Sequence, residues 1–456
     1  MKKLLSLLLV CTMLLGLIGC GSNNNAGGNT DNNSGSGDTA KDPHNEPYEI
    51  DFWIYPMYQG LNGEADGEFD DWAKDRVAQF NEKYPNVKVN IEMLNWQNSL
   101  EKIDVAVMGG QAPDIVYTIN SFGGVIKYGK MGALEPIDDY LTQEDWDDWA
   151  PAVQGAIGYD GKTYMWPWLK LVSGVAVNTD LVKERGAEAL FPFDRELRDW
   201  TYDEFLAAAQ ALTFSRSGSD DPDVYGYSMW GKDSAFYNYL FGVANGTNVL
   251  NEGMTEYTFN TPEAAEGLQF AADLANKYQV TPQGAAGIDY QQVHDMFLQQ
   301  QVAMIPYTSD IVTEAKNAEV PFNVDFVAPP HGEDGELTAW NNVGGFIVFK
   351  QEDEVKRDLV MEFARLCTNA ENSKIHKLGG SYPARDSSGN IYPEDDALAQ
   401  FMGKLSAYGN SNFSLGYGLV DVKTWEAAFQ SLLLGDSTPE EVLETIGVAM
   451  EESLAK

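Results

Sequence analysis

Apolar and polar positions along this chain follow two periods that alternate in a regular order. From residue 48, the segment YEIDFWIY places Ile50, Phe52 and Ile54 at every second position, which predicts a strand. Helical spacing follows at 69–84, then a strand at 87–94, a helix at 100–108 and a strand at 114–118. This order predicts right-handed crossovers and a parallel sheet that helices cover on both faces.

The same alternation continues through the rest of the chain with a larger share of helix. Capping patterns at 201–204, 261–262 and 438–441 each predict the start of a helix, and another helix is predicted at 352–368. Short strands are predicted at 302–308, 323–330 and 345–350.

The segment MWPW at 165–168 holds two tryptophans on either side of a proline. In a strand, Trp166 and Trp168 would point the same way, and Pro167 lacks the amide hydrogen that a sheet ladder needs. This suggests an edge strand or a segment that crosses between elements. Two interpretations stay open on these residues alone: aromatic rings that fill a core, which is the commoner use, or rings that face a ligand.

The N-terminus MKKLLSLLLVCTMLLGLIGC is basic, then apolar, then small, which is typical of a secretory signal and short for a transmembrane span. An uncleaved membrane anchor is the alternative. LIGC is similar to the lipobox of bacterial lipoproteins, which implies a signal peptide over 1–19 and lipid modification of Cys20. Residues 20–47 are rich in Gly, Asn and Ser and are expected to form a disordered tether.

The charge of the chain excludes one class of partner. The sequence carries 30 Lys and Arg against 69 Asp and Glu, a formal charge of −39, which repels nucleic acid and anionic lipid. Of the three cysteines, Cys11 leaves with the signal and Cys20 would carry lipid, so Cys367 remains alone. No disulfide within the mature chain is then possible, and Cys367 is expected to be a buried, inert thiol.

Ordered segments of the chain resemble a known family. FNEKYPNVKVNIEML, VMGGQAPDIVYT, and YDGKTYMWPW followed by GVAVNTDLVKERG are similar to the extracellular solute-binding proteins of bacterial ABC transporters, in the family 1 group that captures carbohydrates. The likeness extends over nearly all of 48–456. It implies a type II periplasmic-binding-protein-like α/β fold of two lobes, each a mainly parallel sheet flanked by helices, with the ligand held between them.

The resemblance also implies a hinge of several chain crossings, placed near residues 169, 331 and 380. Lobe 1 would then comprise 48–168 and 332–380, and lobe 2 would comprise 169–331 and 381–456. No catalytic residue, cofactor or metal is predicted, because G-x-S-x-G, H-E-x-x-H, G-x-x-x-x-G-K-[ST] and paired C-x-x-C are missing. The acidic cluster at 220–223 raises calcium binding, but a solvated turn is the favoured interpretation.

Aromatic, amide and acidic residues at strand ends are the candidate ligand contacts, because loops beyond the carboxyl ends of parallel strands line the crevice of such sheets. Aromatic rings cover the C–H face of a sugar, and amides and hydroxyls fix its OH groups. In lobe 1 and at the first crossing the candidates are Trp53, Tyr55, Tyr58, Tyr117, Asn120, Ser121, Trp166 and Trp168. The remaining candidates are Trp230, Asp233, Tyr307, Asp310, Trp340, Asn342, Tyr382 and Arg385.

The sequence therefore predicts a lipid-anchored, extracellular, monomeric receptor that captures a carbohydrate, most readily an oligosaccharide, for the permease of an ABC importer. Three alternatives stay open. The ligand could be another solute such as a peptide or polyol. A surface polysaccharide-processing enzyme would need only two carboxylates at a set separation, which 69 acids can supply. A passive adhesin would have no saturable soluble ligand.

Overall fold

The computed structural model describes residues 46–64, 66–95, 99–119, 123–232 and 236–455, and for residues 340 and 341 the backbone alone. The predictions for the signal, Cys20 and the tether up to residue 45 lie outside these residues. The predictions for Asn120, Ser121 and Asp233, and for the side chain of Trp340, also lie outside them. None of the helices in these ranges is both long enough and apolar enough to cross a membrane.

Strands and helices alternate from the first described residues onward. The strands are β1 (Tyr48–Ile54), β2 (Val87–Met93), β3 (Ile115–Ile119), β4 (Gly158–Tyr159), β5 (Lys162–Thr163), β6 (Met165–Asn178), β7 (Met304–Thr308), β8 (Val324–Val327), β9 (Trp340–Val348) and β10 (Tyr382–Pro383). The helices are α1 (Asp71–Lys83), α2 (Ser99–Met108), α3 (Gly124–Lys130), α4 (Gln143–Asp147), α5 (Pro151–Gln154), α6 (Thr179–Arg185), α7 (Tyr202–Ala211), α8 (Phe236–Val243), α9 (Pro262–Asn276), α10 (Tyr290–Leu298), α11 (Ile311–Asn317), α12 (Glu354–Cys367), α13 (Ala397–Leu405), α14 (Ser411–Leu419), α15 (Val422–Leu434) and α16 (Pro439–Ala455).

The periodicity of the sequence is confirmed element by element. The strands predicted at 48–55, 87–94 and 114–118 are β1, β2 and β3, and the helix between β1 and β2 ends one residue before Tyr84. The capping box predicted at Thr201 is formed, since its side chain accepts from the amide of Glu204 and Glu204 accepts in return. Only the strand predicted at 345–350 is misplaced, because β9 begins five residues earlier.

The sheet is mixed, which corrects the prediction of mainly parallel lobes. β1 pairs in parallel with β2 and β3, as helical crossovers require. β9 pairs antiparallel with β3 on one edge and with β6 on the other. The reason is topological: the chain leaves the first lobe along β6 and returns along β9, so the two strands run in opposite directions and pair side by side.

Strand β6 is the element that joins the two halves of the molecule. Residues 165–173 pair with β9 and residues 169–170 pair with β10. Further along, β7 pairs with residues 173–177 and β8 with residues 175–178. Because β7 and β8 overlap on Val175–Val177, they must lie on opposite edges of β6. The strand is therefore hydrogen-bonded on both edges along much of its length.

Two hydrophobic cores meet along β6. The first core takes its side chains from residues 48–169 and 343–384, including Met165 and Leu169 of β6. The second core draws on residues 175–327 and 413–450, including Val175 and Val177. Val172 and Ala176, which alternate with those residues and so face the other side of the strand, join a third, smaller cluster with helix α13.

The two tryptophans of MWPW lie in the first core, and this corrects their prediction as candidate ligand contacts. Both are 0% exposed. The Trp168 ring centroid lies 4.8 Å from that of Trp72 and 5.2 Å from that of Phe346, while Trp166 Nε1 lies 3.5 Å from the sulfur of Met361. The rings are enclosed by side chains of one lobe, so filling the core is the role that this geometry assigns them.

Pro167 sits at a bulge rather than on an edge strand. The ladder with β9 shifts register between Pro167 and Leu169, which is one of the few places where an internal strand accepts a proline. Gly345, opposite Pro167, has no side chain, and a Cβ there would overlap the carbonyl oxygen of Trp166. The missing side chain thus lets the backbone of β9 approach the backbone of β6 closely at the bulge.

We expect Trp168→Ala to destabilise the fold by about 3–5 kcal/mol, because it deletes a fully enclosed indole and leaves a cavity. Trp53→Ala, at a half-buried indole of the same core, is the matched control and should cost clearly less. Urea unfolding of the purified proteins measures both values. Equal, small losses for the two variants would contradict the core assignment of Trp168.

Candidate functional site

The carboxyl end of β7 brings the second lobe to its junction with the first. Met304 pairs with Val177, and Thr308 pairs with Ser173, so β7 runs toward the part of β6 that enters the first core. Directly after β7, Ser309 Oγ donates to the carbonyl of Gly380, 2.9 Å away, two residues before β10. Residues 307–310 therefore lie where the crossing segments come together.

Four aromatic rings gather at this end of β7. The Trp230 centroid lies 5.1 Å from that of Tyr237 and 5.2 Å from that of Tyr290, with both rings near perpendicular to the indole. Tyr290 stacks on Tyr307 at 5.8 Å and 16°. We call these four residues the aromatic cup. Tyr290 is 41% exposed, whereas Trp230 and Tyr307 are 5% exposed, so the cup has a buried floor and an open wall.

Polar groups border the aromatic cup. Ser173 Oγ and Tyr237 Oη are 2.9 Å apart, and Thr308 Oγ1 donates to the carboxylate of Asp310. The pKa of Asp310 is raised to about 6, chiefly by burial and in part by nearby Glu314, while the Thr308 hydrogen bond opposes the shift. Hydroxyls and a carboxylate beside open aromatic rings can fix the OH or NH groups of a small ligand.

Trp230, Tyr307 and Asp310 were predicted as ligand contacts, and the structure brings them together. Tyr237 and Tyr290 were missed. Helix α10 begins at Tyr290 through the capping box of Asp289 and buries Val293 and Phe297. Tyr290 lies three residues before Val293 and seven before Phe297, a spacing that places all three on one face of the helix, so the sequence pattern could not distinguish it from a core residue.

The tyrosines predicted as ligand contacts in lobe 1 are core residues in this structure. Tyr55, Tyr58 and Tyr117 are 1%, 3% and 0% exposed. Tyr58 Oη lies 2.7 Å from Nδ1 of His376, whose Nε2 lies 2.9 Å from the carbonyl oxygen of Trp168. Because that carbonyl can only accept, Nε2 carries the hydrogen and Nδ1 accepts from Tyr58. The network ties the loop after β1 to the crossing strand, and this packing role replaces the predicted one.

Arg385 also has a structural role, because residues of the first lobe form ion pairs and a hydrogen bond with its guanidinium. It lies 3.1 Å from the carboxylate of Asp145 and 3.2 Å from that of Asp148, and Nε donates to the carbonyl of Thr368 at 2.9 Å. The residue is 7% exposed. A buried guanidinium with these partners serves stability, and its removal would leave Arg365 as the remaining cation at the buried carboxylate of Asp145.

The remaining predicted contacts are placed away from the aromatic cup. Trp53 lies on the outer face of β1 under the ammonium of Lys102, 4.6 Å from its ring centroid. Tyr382 donates its hydroxyl to the carbonyl of Ala399 at 2.6 Å. Asn342 is buried in the ladder opposite Leu171. These predictions were wrong for one reason. The residue types that contact a ligand are the same types that lie in the protein interior with their hydrogen bonds satisfied.

The acidic turn at 220–223 has a local partner, since the carboxylate of Asp223 accepts from the amide of Arg216 at 2.9 Å. Across the described ranges, no three His, Cys, Asp or Glu side chains are grouped so that they could hold a metal ion. Cys367 is buried, as predicted, and burial raises the pKa of its thiol to about 12.

Two hydrophobic cores that share β6 and an open aromatic surface beside that strand are features of a two-lobed ligand-binding protein. The chain belongs to the family of bacterial extracellular solute-binding proteins, whose family model matches residues 66–374. The family is one of solute-binding proteins, and a similar solved structure is the maltose/maltodextrin-binding domain from Bdellovibrio bacteriovorus bound to maltotriose.

Known sugar-binding proteins are among the similar chains. The maltotriose-binding protein of Pyrococcus abyssi (strain GE5 / Orsay) is 24% identical over 65% of this chain and 60% of its own. The ABC substrate-binding protein from Listeria monocytogenes in complex with cycloalternan is 22% identical, with a TM-score of 0.70 over 90% of this chain and 100% of that one. A solute-binding protein from Thermotoga lettingae TMO, bound with α-D-tagatose, is 21% identical with a TM-score of 0.71 over 89% and 100%. The predicted two-lobed α/β fold is thereby confirmed.

His376 makes the stability of the fold depend on pH. Burial lowers its pKa to about 3, whereas in an unfolded chain it protonates as the pH falls through about 6.5. Between these values the unfolded state binds more protons, so stability decreases as the pH falls, by up to about 1.4 kcal/mol per unit. Urea unfolding at about pH 7 and about pH 5 should show that the wild type loses about 2 kcal/mol more than His376→Gln. An equal loss in both proteins would contradict this.

Proposed function

We propose that this protein is the extracellular substrate-binding component of an ABC importer, and that it captures a carbohydrate at the junction of its lobes and delivers it to the permease. The observation that carries the proposal is the aromatic cup, with Tyr290 41% exposed over a Trp230 floor at the end of β7. Rings of this kind cover the apolar face of a sugar, and adjacent hydroxyls and a carboxylate pair with its OH groups. The sugars in complex with similar proteins support the choice of ligand class.

Aromatic burial supplies only part of the affinity that a transport receptor needs. If a sugar covers about 100 Å² of apolar surface on Tyr290, the exposed ring of the cup, the gross gain is about 2.5 kcal/mol at about 25 cal/mol per Å². Micromolar affinity corresponds to about 8 kcal/mol net, and ordering the lobes costs part of the gain. Hydrogen bonds to Asp310, Thr308 and the Ser173–Tyr237 pair would supply the remainder and the specificity.

Closure around the ligand follows from the position of the cup. A sugar held against Tyr290 and Asp310 would reach the first lobe only when the crossing segments bend, so the bound ligand would favour the closed arrangement. The closed protein would be the form that the permease recognises. Sustained release of product from an oligosaccharide would instead identify a processing enzyme and overturn the proposal.

We expect Tyr290→Ala to lower the affinity for the transported sugar by about thirtyfold, the loss that follows when an aromatic anchor worth about 2 kcal/mol is removed. A thermal-shift screen of maltotriose, other oligosaccharides and monosaccharides identifies the ligand, and isothermal titration then measures the affinities. Tyr408→Ala, at a tyrosine of equal exposure, 41%, in a turn after α13, is the matched control. Equal affinity for both variants would contradict the assigned site, and the absence of any sugar ligand would contradict the function.

We further propose that Cys20 carries a lipid anchor and that residues 20–47 form the tether. The support is the signal pattern before Cys20 and the lipobox-like LIGC. Expressed in a bacterium that processes lipoproteins, the wild type should partition into the membrane fraction, and intact-mass analysis should find it cleaved before an acylated Cys20. Cys20→Ser should abolish both results. An unmodified Cys20 with residues 1–19 still attached would contradict the anchor.

A further inference from the structure

His294 lies beside the open wall of the aromatic cup. It follows Tyr290 by four residues in α10, which puts the two side chains on one face of the helix. The imidazole stacks on Tyr290, with ring centroids 6.2 Å apart at 20°, and lies 5.8 Å from the ring of Tyr307 at 31°. Tyr290 and Tyr307 are joined by a hydrogen bond between their hydroxyls. The three rings therefore support one another.

The His294 imidazole is paired with a carboxylate from another helix. Its Nε2 lies 2.5 Å from Oε2 of Glu314 in α11. Because an ionised carboxylate only accepts, Nε2 carries a hydrogen. The His294 side chain is largely enclosed and that of Glu314 is partly exposed, so water screens the pair less than it screens an ion pair on the open surface. The pair thus joins α10, which carries Tyr290, to α11.

The second ring nitrogen of His294 has a partner in either protonation state. Nδ1 lies 3.3 Å from the amide nitrogen of Gln291 and 3.4 Å from a carboxylate oxygen of Asp295. A neutral ring accepts from the amide, and a charged ring donates toward the carboxylate. The imidazole can therefore lose a proton and keep its hydrogen bonds. What it loses is the charge that attracts Glu314 and the face of the neighbouring tyrosine.

The acids around His294 favour its charged form. The pKa of His294 is raised above its ordinary value, chiefly by the hydrogen bond to Glu314 and in part by Asp295, while burial opposes the shift. The imidazolium therefore persists to a higher pH than that of an ordinary histidine, and the charged pair is lost as the pH rises further.

The other titratable groups around this stack do not change charge in the same range. They are the hydroxyls of Tyr290 and Tyr307 and the carboxylate of Asp310, which lies four residues before Glu314 in the chain. Burial raises the pKa of Tyr290 to about 12, the pKa of Tyr307 is also raised, and that of Asp310 is about 6. Between about pH 7 and about pH 9, His294 is therefore the group of this set that titrates.

Tyr290 depends on such support, because it is the first residue of α10 and its ring is partly exposed. Resting on the proposed carbohydrate function, we infer that His294 is a positioning residue of the sugar site, which pairs with Glu314 and holds the Tyr290 ring where a sugar stacks. A ring that is already fixed loses less freedom when the ligand binds. The affinity is then higher while the pair is charged, and capture weakens when alkaline conditions remove the proton from His294.

Isothermal titration of the full mature chain at about pH 7 and about pH 9 tests this inference, with maltotriose and with the sugar that gives the largest thermal shift. We expect the wild-type affinity to fall about threefold between these values. Binding at about pH 8 should take up protons, which appears as a heat that changes with the ionisation enthalpy of the buffer.

Two variants assign the effect to the pair. Glu314→Gln keeps the imidazole in the stack and removes its charged partner, so its affinity at about pH 7 should already be about threefold lower and should change little with pH. His294→Gln also removes the ring and should lower the affinity about tenfold without pH dependence. Thermal melting of each ligand-free variant checks that it is folded.

The controls are an acid and a histidine outside the pair. Glu319→Gln changes an exposed acid shortly after α11. His331→Gln changes a histidine whose Nδ1 lies 2.6 Å from the carbonyl oxygen of Gly332. Both variants should keep the wild-type affinity and its pH dependence.

Three outcomes overturn the inference. Sugar binding by the wild type with equal affinity at both pH values would remove the role of His294 and leave the carbohydrate function standing. A pH dependence that Glu314→Gln and His294→Gln retain in full would show that the titrating group lies elsewhere. If no sugar binds the wild type at either pH, both proposals fail.

Discussion

The architecture depends on one strand that belongs to two hydrophobic cores. β6 buries Met165 and Leu169 in the first core and Val175 and Val177 in the second, and it is paired on both edges along much of its length. A strand satisfied in this way cannot leave either core without exposing apolar surface and breaking ladder hydrogen bonds. The position of the aromatic cup follows from this constraint, because β7 is registered against β6 and ends at the junction.

The sequence alone predicted most elements of the fold, since helix and strand periods are local properties and the caps at Thr201 and Thr438 are formed by neighbouring residues. Strand direction was predicted less well. The antiparallel pairing of β6 with β9 joins segments about 170 residues apart, and no local pattern records which way a returning chain will run.

The candidate site also combines residues that a local rule predicts with residues whose role depends on distant contacts. Positions next to strand ends predicted Trp230, Tyr307 and Asp310 as candidate contacts, whereas Tyr58, Tyr117 and Arg385 fit the same rule but are core or structural residues. Whether an aromatic or charged residue faces solvent at a strand end depends on what packs above it. For Tyr58 that partner is His376, which lies far away in the sequence. Tertiary packing therefore determines whether such a residue contacts a ligand or fills the core, because its residue type is compatible with both roles.

Gly379 and Gly380 occupy a narrow position between the lobes. A Cβ on Gly379 would come within 2.8 Å of the Tyr58 ring, one on Gly380 would overlap Ser309 Oγ, and Gly380 has a φ of 65°. Two successive residues thus touch Tyr58 in the first core and Ser309 after β7 with no side chain between them. A side chain at either position would have to displace one of these groups, so the two glycines set how closely the loop after β1 and the segment after β7 can approach each other.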